Sequence, residues 1–87
     1  MSWRVVFTAH VRRDAKKLAA AGLRPEAQQL LDLLETNPFQ VPPPFQMLAG
    51  DLRGAFSRRI NIQHRLVYEV IESERTVKVL QMWTHYE

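Results

Sequence analysis

The stretch Phe56–Val70, FSRRINIQHRLVYEV, holds two short runs of strand-forming residues that carry Arg58, Arg59, His64 and Arg65, with Glu69 as their only acid. β-branched and aromatic residues on either side of a polar Asn61-Ile62-Gln63 turn predict a hairpin. Its register decides which face is core. If Ile60 pairs with Arg65, then Phe56, Arg58, Ile60, Arg65 and Val67 share a face that mixes charge with apolar groups. If Ile60 pairs with His64 instead, Phe56, Ile60, Leu66, Tyr68 and Val70 line one face, and Ser57, Arg59, Arg65, Val67 and Glu69 the other. Register follows the pairing that buries the apolar set, so the second is expected. It sets Arg59 beside Arg65, away from the core. Like charges facing each other across strands repel, which points to an anionic ligand between them. Arg58 falls on the apolar face and is expected to reach round an edge.

Outward from the hairpin, Trp3–Phe7 predicts a first strand. Val11, Ala15, Leu18 and Ala19 then trace the apolar stripe of a helix that Gly22 closes. Pro25 suits the first turn of a second helix. Ala27, Leu30, Leu31 and Leu34 form that helix's core face, and Asn37-Pro38 stops it. Phe39–Phe45, FQVPPPF, predicts an extended, stiff connection. The remaining strands are expected at Ala55–Ile60, Arg65–Val70 and Val77–His85, the last two joined by the acidic IESER turn. The order β-α-α-β-β-β predicts an α+β fold, with two helices packed on a small antiparallel sheet.

The chain has 87 residues, no cysteine and a net charge of +3. That length predicts one domain, 1–87, near the size where a single core is only just sufficient. The lack of cysteine fits a reducing compartment. MSWRVVFTAHVRRDAKK lacks the apolar core of a signal peptide, and no apolar run approaches the roughly 18 residues of a membrane span. A cytoplasmic location away from membranes is therefore expected. Basic charge gathers in two zones. Arg4, Arg12, Arg13, Lys16 and Lys17 face only Asp14 over residues 1–20, and Arg53, Arg58, Arg59 and Arg65 face only Asp51 over residues 49–68. Such zones suit a polyanion, usually nucleic acid, although a solvated basic face explains them equally.

His10, His64 and His85 are far apart, with no carboxylate pair to make a metal site. No phosphate-binding glycine loop, serine elbow or zinc-binding histidine pair is present. No metal or cofactor is expected. What the chain does offer is arginines suited to phosphate, together with a C-terminal Trp83-Thr84-His85-Tyr86-Glu87. Guanidinium groups grip phosphate bidentately, histidine exchanges protons near neutral pH, and tyrosine stacks or donates. Together these suffice for metal-free RNA cleavage, which needs a base for the 2′-OH, cations at the phosphorane and an acid for the leaving 5′-oxygen. Each has a plainer explanation too: solvated arginines, a turn histidine at His64, a surface histidine at His10, and packing by Trp3 and Trp83.

Ser57–Val70, SRRINIQHRLVYEV, resembles the S-R-R-I-x-x-x-H-R-L-V-Y core of the YoeB toxins, within the RelE/ParE toxin superfamily. Asn37-Pro38-Phe39, Leu48, Leu52 with Gly54, and the terminal His85-Tyr86 add to the resemblance. It implies the RelE-like fold and a toxin of a type II toxin-antitoxin system. It further implies a homodimeric, ribosome-dependent and metal-independent endoribonuclease that cuts mRNA in the A site. The implied partners are the ribosome, mRNA and a YefM-like antitoxin, with operator DNA met only through the antitoxin complex. By position, the family's transition-state arginine falls on Arg65, a second active-site arginine on Arg59, and the catalytic histidine and tyrosine on His85 and Tyr86. Arg12, Arg13, Lys16, Lys17, Arg53 and Arg58 are the expected RNA-binding set. Three positions depart from the family. Gln46 stands where its general-base glutamate falls, Gln63 where an acid is common, and Glu87 follows the usual terminal tyrosine. An amide accepts no proton at neutral pH, so Gln46 orients the 2′-OH or a water at most. The alternative is a toxin on the same scaffold that inhibits by binding, as the ParE branch does, or one weakened by Gln46.

Overall fold

The computed structural model describes residues 2–50 and 53–83. Strand β1 (Arg4–Phe7) leads into helix α1 (Ala9–Ala20), and α2 (Arg24–Thr36) follows. Then come β2 (Gln46–Met47), β3 (Ala55–Arg59), β4 (Arg65–Ile71) and β5 (Thr76–Gln81). The two helices are those the periodicity predicts. Thr8 caps α1 from an extended backbone, its Oγ1 accepting the Val11 N–H at 3.4 Å, which satisfies one of the N–H groups left over at a helix start. Gly22, at φ +75°, closes the helix. Its N–H reaches the Ala19 carbonyl while the Leu23 N–H reaches that of Leu18, the paired bonds of a left-handed helix end that glycine adopts without strain. Pro25 sits in the first turn of α2, and Asn37 ends it in an extended conformation, as a residue before proline prefers.

Three positions on α1 differ from expectation. On α1 the buried residues are Val11, Asp14 and Leu18, whereas Ala15 and Ala19 are exposed. The Asp14 carboxylate accepts the Met82 N–H at 3.0 Å and lies 3.5 Å from His10 Nε2. A backbone donor on the far side of the core draws an acid into the stripe, which apolar periodicity alone does not register. The core packs Val11, Leu18, Ala27, Leu30 and Leu34 of the helices on Ile60, Leu66, Tyr68, Val77, Val79 and Met82.

The sheet has five strands in the order β1-β5-β4-β3-β2, mixed rather than wholly antiparallel at the β1 edge and longer by an unexpected strand at the β2 edge. β1 runs parallel to β5, with Arg4 opposite Thr76 and Phe7 opposite Val79. The helix pair carries the chain across one face of the sheet, and the first strand finds its partner in the last one, a pairing no local pattern reveals. At the other edge the proline segment ends in the short β2, antiparallel to β3. β5 runs from Thr76 to Gln81 and a bend follows at Met82-Trp83, while the expected strand end at His85 lies outside the described residues. The hairpin register is the expected one: Arg59 faces Arg65, and the Ile60 N–H donates to the His64 carbonyl at 2.9 Å. Asn61 fixes the turn, its Oδ1 accepting the N–H groups of Gln63 and His64 at 2.9 and 2.7 Å.

Candidate anion-binding site

Alternation along β3 and β4 puts Ser57, Arg59 and Arg65 on the face opposite the helices. β2 brings Gln46 to the same place, because it pairs with Ser57. Arg65 Nη1 donates to Gln46 Oε1 at 3.0 Å and to Ser57 Oγ at 3.5 Å, so a neutral amide aims the guanidinium without cancelling its charge. Arg59 is exposed and Arg65 partly buried. A hollow of about 270 Å³ opens here, lined by Pro43, Pro44, Phe45, Gln46, Ser57, Arg59 and Arg65. Two cations, an amide and a proline-phenylalanine wall form a concavity suited to a phosphate with an attached ring system. The β4–β5 register shifts between Val67 and Tyr68, an irregularity of the kind found beside binding sites.

Of the residues predicted for the site, Arg59, Arg65 and Gln46 come together. Arg58 does not join them and is no RNA-binding residue. It is fully buried on the helix-facing side rather than reaching round an edge. Its Nε donates to Tyr68 Oη at 2.9 Å, Nη1 to the Pro43 carbonyl at 2.6 Å, and Nη2 to the carbonyls of Pro38 and Gln40 at 3.0 and 2.8 Å. A buried charge is tolerable when its donors are satisfied in this way. Burial pushes the Tyr68 phenol above its ordinary value, while the hydrogen bond and charge of Arg58 pull the other way. Tyr68 in turn donates to the Pro38 carbonyl at 3.0 Å.

Arg12, Arg13, Lys16 and Lys17 are exposed on α1, and Arg53 is exposed in the turn before β3. His64 sits at the end of the hairpin turn, as its plainer explanation has it, but is buried there and stacks on Trp83, ring centres 3.8 Å apart. Trp3 packs edge-on against Phe39, so it is a packing residue as its plainer explanation has it. His85, Tyr86 and Glu87 lie outside the described residues. Ser57 and the wall Pro43–Phe45 were not among the predicted site residues. Ser57 is legible as the position two before Arg59 on the same face, and the wall as the segment leading into Gln46.

Two helices on a five-stranded mixed sheet define the fold class of RelE-like toxins. The chain belongs to the YoeB-like toxins of bacterial type II toxin-antitoxin systems, whose family model matches residues 7–86. Among solved structures, a YoeB/ParE toxin from Agrobacterium tumefaciens is 29% identical, with a TM-score of 0.84 over 95% of this chain and 99% of that one. The YoeB-YefM complex from Staphylococcus aureus gives 26% identity and a TM-score of 0.79 over 97% and 98%. The toxin-antitoxin complex RelBE2 from Mycobacterium tuberculosis gives 29% and 0.75 over 99% and 100%. The Staphylococcus toxin is also known as a YoeB dimer. No curated protein matches the chain.

Proposed function

We propose that this toxin is a ribosome-dependent, metal-independent endoribonuclease that cuts mRNA in the A site and so stops translation in the cytoplasm. The observation that carries the reading is the register pair Arg59–Arg65 beside Gln46, at a hollow of about 270 Å³. Arg65 and Arg59 hold the scissile phosphate and offset the charge that builds on it as the 2′-oxygen attacks phosphorus and the bond to the 5′-oxygen breaks. Gln46 orients the 2′-OH. His85 transfers protons, taking one from the 2′-OH or giving one to the leaving oxygen, and Tyr86 positions the base or the His85 ring. Trp83, two positions before His85 in the sequence, rests on His64, the neighbour of Arg65. Exposed Arg12, Arg13, Lys16, Lys17 and Arg53 grip ribosomal RNA phosphates. A YefM-like antitoxin neutralises the toxin and links it to operator DNA, and the toxin acts as a homodimer. The YoeB-YefM complex and YoeB dimer of the Staphylococcus relative support these partners.

Toe-printing of an mRNA in a translation extract tests the reading. The expected result is A-site cuts that vanish with Arg65→Ala or His85→Ala, while fold and antitoxin binding persist. Variants that remain fully toxic would remove these residues from the site. Gln46 favours a second reading, a toxin that inhibits by occupancy without cutting. That toxin would stall translation and leave the mRNA intact.

A further inference from the structure

We propose that Arg58 is a positioning residue, which holds the proline segment in place and through it sets the Gln46–Arg65 pair. This inference rests on the function proposed above for the hollow. The segment Phe39–Phe45 lies between α2 and β2, and its prolines at 42, 43 and 44 have no N–H to offer a sheet. Its carbonyls instead converge on one side chain. The Arg58 guanidinium binds the oxygens of Gln40 and Pro43, that of Pro38 just before the segment, and also Tyr68 Oη, which itself donates to Pro38. The guanidinium also lies 4.9 Å from the centre of the Phe45 ring, which packs edge-on against Phe56.

Pro43, Pro44 and Phe45 form the wall of the hollow, and the next residue is Gln46, whose Oε1 aims Arg65. Arg58 thus grips the back of a segment whose front faces the candidate site. Its neighbour Arg59 lines the hollow directly, so adjacent arginines on one strand serve opposite faces. All four partners of Arg58 are neutral and spread round the planar fork. A lysine, a point charge with three donors and no fork, meets them only in part.

The test compares wild type with Arg58→Lys and Tyr68→Phe by thermal melting, by side-chain amide NMR of Gln46, and by single-turnover cleavage on programmed ribosomes. For folded Arg58→Lys the Gln46 amide resonances should move. The saturating cleavage rate should fall about tenfold to a hundredfold, as expected for sub-ångström to ångström misplacement, with the half-saturating concentration little changed. Added guanidinium ion should restore part of the rate to Arg58→Ala. A folded Arg58→Lys with wild-type Gln46 resonances and wild-type rate overturns the proposal. Should Arg58→Lys not fold, Tyr68→Phe decides, since it removes one acceptor and keeps the ring. Unmoved Gln46 resonances there also overturn it. If wild type itself leaves mRNA intact, the nuclease reading fails, and the Gln46 resonances still decide the role of Arg58.

Discussion

Arg59 and Arg65 sit opposite each other because the strands pair that way, and Gln46 holds Arg65 at 3.0 Å without neutralising it. Replacing Arg65 by alanine should slow A-site cleavage by about a hundredfold to a thousandfold, the scale for losing one donor to a developing negative charge. Single-turnover cleavage in extract measures this. Gln46→Glu adds a carboxylate where the family has its base, so the rate should rise by about a hundredfold or more, the scale of general base catalysis. An unchanged rate would assign the base to another group. The arginine pair was legible in the sequence because alternation and apolar burial allow only one sensible register. The inward turn of Arg58 was not, since its partners are carbonyls 15 to 20 residues away, and no periodicity encodes a carbonyl's direction. Asp14 escaped for the same reason, its partner being the Met82 N–H.

Among the elements, the helices were legible almost to their ends. Gly22, Pro25 and Asn37-Pro38 are chemical punctuation that acts within a few residues. The two-residue β2 had no such signal: it is a strand only because β3 lies beside it. Thr8→Ala should cost about 1 kcal/mol by loss of the cap, and Leu34→Ala about 2–5 kcal/mol by opening the core, both read from urea denaturation. The β3–β4 pair also predicts a pH dependence. The Tyr68 phenol ionises at higher pH in the folded chain than in the unfolded one. Its contribution to stability is therefore intact below about pH 10 and is lost as pH climbs through the folded value. Denaturation midpoints should fall across that alkaline window, and fall less steeply in Tyr68→Phe.

Across the whole molecule, basic charge is divided between two faces. The arginine hollow lies on the sheet face opposite the helices, while Arg12, Arg13, Lys16 and Lys17 project from a helix that covers the other face. Changing those four to glutamine should weaken ribosome binding and flatten its salt dependence, by about three units of log–log slope if all four meet phosphate. Titration at several salt concentrations gives that slope, and the cleavage rate at saturation should hold. The pairing of β1 with β5 has a consequence for how such a toxin is made. Arg4 waits for Thr76, so both helices and the three strands between must be made before the first strand has its neighbour. A fragment ending before Thr76 should give the circular dichroism of an unstructured chain, and a folded fragment would refute this. A half-made copy then has no finished sheet on which to mount the hollow, and under the proposed function the ribosome producing it is spared until β5 is in place.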